Sequence, residues 1–138
     1  MDAISATMKV AASGLEAQSL RVRMVSENVA NANSLGSAPG ADPYRRKTIV
    51  FEPQFDKMVG AEVVNVKKIG TDPGDFTLSY DPSHPAANAD GYVKMPNVNP
   101  LIEMTDMREA MRSYDANLNI IEQARSMAMS TLALLDGQ

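Results

Sequence analysis

The stretch Val25-Ser26-Glu27-Asn28-Val29-Ala30-Asn31-Ala32-Asn33-Ser34-Leu35-Gly36 falls at the end of the proline-free N-terminal part of the chain and carries three asparagines. Asparagine is a poor helix former because its amide competes for backbone hydrogen bonds. Such residues at a helix end either stop the helix or hold a partner. Asn28 and Asn31 stand three apart, on one face beside Val25 and Val29, and are expected to hold. Asn33, close to Gly36, is expected to terminate.

Upstream, apolar positions advance in steps of four and three: Ile4, Met8, Ala11, Leu15, Gln18, Val22, Val25, Val29, Ala32. This is a heptad seam with one polar interruption, at Gln18. A second row, Ala3, Ala6, Val10, Ser13, Ala17, Leu20 and Met24, widens the face beyond what a two-stranded coiled coil needs. The last third repeats the pattern. Asn99-Pro100 supplies an N-cap and a proline at the first helical position. Beyond it the seam runs Met104, Met107, Met111, Tyr114, Leu118, Ile121, Arg125, Ala128, Leu132, Leu135, flanked by Ala110, Asn117, Ile120, Ala124, Met127, Thr131 and Leu134. Asn117 beside Tyr114 and Leu118 is expected to form a polar layer between the helices. Helices of roughly 32 and 36 residues would each be about 50 Å long.

Between the helices the period vanishes, and residues 34–98 hold seven of the eight prolines. Lys47–Phe51, Glu62–Lys67 and Phe76–Tyr80 read as strands, and Thr71-Asp72-Pro73-Gly74-Asp75 as a turn. The expected fold is therefore mainly α, with the two long helices packing as an antiparallel coiled-coil hairpin around a small β-rich or loop middle. The divisions are 1–35, 36–98 and 99–138.

Composition narrows the function. A formal net charge of -4 and a pI near 4.9 disfavour a nucleic-acid binder. The one basic cluster, Tyr44-Arg45-Arg46-Lys47, reads as a solvated loop or strand edge. With no cysteine, disulfides and thiolate metal sites are excluded. Neither a cleaved secretory signal nor a membrane-spanning run is expected. The ten methionines and few aromatics suit helix seams. Chemistry is poorly provided for. His84 is the only histidine, and with Ser83 and Asp81 it forms no triad by spacing, since triad members come from separate elements and need an oxyanion hole. Asp72, Asp75, Asp81 and Asp90 lack a calcium-loop motif. No catalytic residue, cofactor or metal is expected.

Ala12-Ser13-Gly14-Leu15-Glu16-Ala17-Gln18, followed by Val25–Asn33, resembles the N-terminal signature of bacterial flagellar axial proteins, the rod and hook class. Ser113-Tyr114-Asp115-Ala116-Asn117 resembles its C-terminal motif. Gln18–Arg21, Pro43–Lys47, Tyr80–Pro85 and Gly91–Pro100 are similar to proximal rod subunits within that class. The resemblance implies a structural subunit of the rod crossing the periplasm, part of the drive shaft that carries motor torque to hook and filament. It implies export through the flagellar type III apparatus without a cleaved signal. The implied partners are further copies, other proximal and distal rod subunits and a rod-base adaptor, with no nucleic acid and no membrane insertion. The expected interface comprises Ile4, Met8, Leu15, Gln18, Val22, Val25, Asn28, Val29 and Asn31 on the first helix. On the second it comprises Met104, Met107, Met111, Tyr114, Asn117, Leu118, Ile121, Leu132 and Leu135. Two further readings compete: a helical-hairpin adaptor or export chaperone with a Met-rich client face, and a small hydrolase centred on His84.

Overall fold

A computed structural model describes residues 2–137. The element order is α1 (Ala3–Ala30), β1 (Lys47–Asp56), β2 (Ala61–Thr71), β3 (Thr77–Tyr80), β4 (Tyr92–Met95) and α2 (Pro100–Asp136). Both helices begin on side-chain caps, because the first helical N–H groups have no intrahelical acceptor. At α1 the Asp2 carboxylate accepts from the Ser5 N–H at 2.7 Å. That bond is the first cause holding the Asp2 pKa below its ordinary value. At α2 the Asn99 amide oxygen accepts from the Leu101 N–H at 3.1 Å, with Pro100 where no N–H is needed.

The middle folds as two small two-stranded sheets, β1 with β2 and β3 with β4. The latter pair is antiparallel, Thr77 opposite Met95 and Tyr80 opposite Tyr92. The strand β4 joins the three expected from sequence, and β1 and β2 run longer than the expected Lys47–Phe51 and Glu62–Lys67. The β1–β2 turn is built by Asp56, whose carboxylate accepts from the N–H groups of Met58 and Val59. Gly60 closes it with φ 72°. Gly91 holds φ 85°, and a Cβ there would lie 2.9 Å from the Tyr80 ring.

The chain divides into two compact units. The first takes the chain's beginning up to Val22, then Val50–Lys68, then Arg108 onward. Its buried side chains are small: Ala11, Ala17, Ala110 and Ala124, with Val59 from the β turn. Gly14 is buried among them. The second unit comprises Arg23–Ile49 and Ile69–Met107. There Met24, Val25, Ala86 and Val93 are buried together with two polar side chains, Asn28 and Glu103.

Candidate assembly site

In the second unit Asn28 is 1% exposed and all its side-chain bonding capacity is spent. Its Oδ1 accepts from the Lys47 N–H at 2.8 Å and the Tyr44 hydroxyl at 2.7 Å. Its Nδ2 donates to the Lys47 carbonyl at 3.0 Å and to Glu103 Oε2 at 3.2 Å. One amide thus pairs with both polar groups of a single peptide residue, as a neighbouring strand would. An aspartate lacks the donor and a leucine lacks both groups.

Glu103 is 0% exposed, and a carboxylate so placed requires a partner. Arg46 Nε donates to its Oε1, and Arg46 also lies 3.6 Å from the Asp72 carboxylate. The bond to Glu103 is the main reason the Arg46 pKa is raised. Glu103 stands in the first turn of α2, where the helix dipole favours negative charge. Burial, first among its causes, raises the Tyr44 pKa, which keeps the hydroxyl protonated to donate to Asn28.

The rest of the basic cluster is tied inward as well. The Arg46 N–H donates to Asn97 Oδ1 at 2.8 Å, and Asn97 Nδ2 donates to the Asp72 carbonyl at 3.1 Å. Arg45 donates to the carbonyls of Asp72 and Gly74, both at 2.8 Å, and its guanidinium lies 4.2 Å over the Phe76 ring. Lys47 Nζ is 2.7 Å from Glu27. The expected solvated edge is therefore a hub. It binds the end of α1, the 72–76 turn and the start of α2 through side-chain and backbone bonds.

The three asparagines of the opening stretch divide differently from expectation. Asn28 holds a partner. Asn31 turns back on its own helix, donating to the Glu27 carbonyl at 2.8 Å and accepting from the Ser34 hydroxyl at 2.9 Å. Asn31 and Ser34 thus bond to each other just past the helix end, and Asn33 is exposed in the turn that follows the helix. Gly36 is not a left-handed cap. A Cβ there would meet Ala41 at 2.7 Å, so it serves a close approach in the loop. Asn117 packs on Gly14, where an added Cβ would lie 2.6 Å from its Nδ2.

In the first unit the structure buries another stripe of α2 than the large-residue seam. Ala110 and Ala124 are buried and Asn117 and Ile121 half-buried, whereas Met111, Tyr114, Leu118, Leu132 and Leu135 are exposed. In the second unit Met104 is exposed and Met107 half-buried. On α1, Val25 and Asn28 are buried and Ile4, Met8, Leu15, Gln18, Val22 and Val29 half-buried, as is Asn31 just past its end. Small side chains let backbones approach closely, so the alanine row is covered first and the bulkier row faces out. Gln18 Oε1 is buried without a hydrogen-bond partner among the described residues. Hollows lie along the helices of this unit, two of which matter here. One, of about 200 Å³, is lined by Ala3, Ile4, Thr7, Ile120, Gln123, Ala124 and Met127. The other, of about 320 Å³, is lined by Ser19, Val22, Met111, Tyr114 and Asp115.

The only histidine is spent on a turn. His84 Nδ1 accepts from the Ala86 N–H at 3.0 Å, and the Ser83 hydroxyl donates to Asp81 at 2.7 Å rather than to the imidazole. That is not the hydrogen-bond order of a triad. Sequence reasoning missed Glu103 and Arg46. A signal was available for the first: Glu103, Ala110, Asn117 and Ala124 stand seven apart, a charged residue heading a column of small ones.

Comparison with known proteins finds relatives over nearly the whole chain. The family described as "Flagella basal body rod protein" matches residues 8–36. The family described as "Flagellar basal body rod FlgEFG protein C-terminal" matches residues 89–134. The chain is 62% identical to the flagellar basal-body rod protein FlgC of Agrobacterium fabrum, covering 98% of this chain and 97% of that one. It is 40% identical to the FlgC of Salmonella typhimurium over 91% of this chain and 92% of that one. To that of Bacillus subtilis it is 36% identical, over 93% and 95%.

Proposed function

The chain belongs to the FlgC family of flagellar basal-body rod proteins and is a structural subunit of the rod, not an enzyme, and from that premise we infer how it is built into the rod. The two helices pack as an antiparallel coiled-coil hairpin. This is supported within the first unit by Ile4 lining a hollow with Ala124, by Gly14 against Asn117, and by Arg21 at 3.4 Å from Glu109. As α1 is followed forward, its α2 partners run backward. The outward row of α2, with Met111, Leu118, Leu132 and Leu135, then packs on neighbouring subunits.

The observation that carries this reading is the exposure of so many large apolar side chains, Leu132 at 60% and Leu135 at 69% among them. Contiguous apolar surface of this kind marks interaction sites. The neighbours are other copies and other rod subunits, proximal and distal, with a rod-base adaptor at one end. The subunit reaches the periplasmic rod through the flagellar type III exporter, without a cleaved signal. No described helix is long and apolar enough to cross a membrane.

The test is deletion of the gene, followed by complementation. Deletion is expected to abolish flagella and motility, the wild-type gene to restore both, and Leu132→Asp with Leu135→Asp to restore neither while the soluble protein stays folded. Motile deletion cells would overturn the rod assignment. Full rescue by the double variant would overturn the interface alone.

A further inference from the structure

The β1–β2 turn offers a rigid apolar knob. Its backbone is pinned by the Asp56 carboxylate and by the Gly60 N–H donating to the Asp56 carbonyl at 2.7 Å. On this frame Met58 is 79% exposed and Phe55 62% exposed, with Lys57 between them in the chain. The pinned turn fixes where these two side chains leave the backbone, so docking does not have to order the loop that carries them.

The same unit carries a matching socket. The hollow lined by Ser19, Val22, Met111, Tyr114 and Asp115 has an apolar floor of Val22, Met111 and the Tyr114 ring, with one carboxylate, Asp115, at its rim. Its volume of about 320 Å³ is ample for a methionine or phenylalanine side chain. Met58 is a flexible thioether suited to irregular hollows beside an aromatic ring. The rim carboxylate and the knob's Lys57 are opposite in charge, which favours this docking over others.

We propose that the Phe55–Met58 knob of one copy seats in the Ser19–Tyr114 hollow of a second copy of this chain, with Lys57 facing Asp115. Knob and socket are different patches, each exposed on its own molecule. A contact between them is heterologous, and it repeats along an open line instead of closing as a two-fold dimer does. The proposal rests on the rod-subunit reading and adds which two surfaces of like copies meet.

The chain has no cysteine among its residues, so an introduced pair reports only on itself. Met58→Cys combined with Ser19→Cys, expressed in place of the native gene, is oxidised in isolated basal bodies and run on a non-reducing gel. Covalent dimers and higher multiples of this chain are expected for the pair and for neither single variant. Motile cells that yield no such multiples, or a covalent product with a different protein only, would overturn the proposal. If the pair fails to assemble, charge exchange decides. Lys57→Glu and Asp115→Lys should each reduce swimming, and together restore it. Two losses without restoration would overturn it. Failure of the rod reading itself is read separately, from motility of the deletion.

Discussion

Replacing Asn28 with leucine keeps the branching and the number of side-chain heavy atoms and removes every hydrogen bond the side chain makes. The structure gives four: two accepted, from the Lys47 N–H and Tyr44 hydroxyl, and two donated, to the Lys47 carbonyl and Glu103. A net hydrogen bond is worth about 1 kcal/mol, and a buried group left unpaired costs about 1–3 kcal/mol. Lys47 and Tyr44 are half-buried, so water partly replaces their lost bonds, whereas Glu103 is fully enclosed. The expected loss is about 3–4 kcal/mol, a large share of the roughly 5–15 kcal/mol of a typical domain. At a urea slope of about 1–3 kcal/mol per molar, the midpoint should fall by about 1–4 M. Asn28→Asp is expected to be worse than leucine at neutral pH, because it turns a carboxylate toward the Lys47 carbonyl and Glu103. Urea unfolding followed by circular dichroism measures both. A loss under about 1 kcal/mol for Asn28→Leu, or an aspartate variant more stable than the leucine one, would refute the account of the hub.

Four further outcomes are expected. Gly14→Ala should destabilise by about 1–3 kcal/mol by overpacking, and Asn117→Ala added to it should recover most of that loss in thermal melts; equal or greater loss in the double variant counts against the Gly14–Asn117 contact. The Lys47–Glu27 pair should contribute across the neutral range. The hydrogen bond from Lys47, the first cause, lowers the Glu27 pKa below 4.5, so its share is lost as pH falls through the folded Glu27 value. The Lys47 pKa is raised above 10.5, first by the same bond, so that share is lost as pH rises through the folded Lys47 value. The melting difference between wild type and Lys47→Met should accordingly stay constant between about pH 5.5 and 9 and shrink in acid; a difference that varies across that plateau contradicts it. Asn99→Ala should cost about 1 kcal/mol through loss of the α2 cap, read from the urea midpoint, and an unchanged midpoint would remove the cap's role. The α2 segment after Ser126 buries no side chain, so a dilute monomer should show less helix by circular dichroism than 28 and 37 helical residues require, and gain it on assembly.

Both helices were legible because steps of three and four, sustained over so long a run, fit the helical period and no strand, and Asn99-Pro100 marked the start of α2 directly. Which row of α2 would be covered was not legible. The alanine row and the leucine–methionine row satisfy the same period, and the choice depends on how closely the backbones approach, as Gly14 against Asn117 illustrates. Asn28 was readable as a partner-holding residue because an amide in an apolar seam needs bonds. Its partners were not, since Tyr44, Lys47 and Glu103 come from other segments at irregular separations. The same holds for Arg46: its tie to Glu103 spans 57 residues and has no period. The strand reading found the cores of β1 and β2, and alternation found β3, but β4 was missed, its Tyr92–Met95 lying between Gly91 and Pro96 in a segment read as loop.

Asn28 grips residue 47 by its main chain, through the N–H and carbonyl that every amino acid but proline possesses. The side chain at 47 can therefore drift, trading its surface ion pair for another function, without loosening this grip. Position 28 has no such latitude, because no other side chain of that length presents a donor and an acceptor together. A lock of this design leaves a lopsided imprint: one demanding residue on the helix, facing a partner that almost any residue could provide.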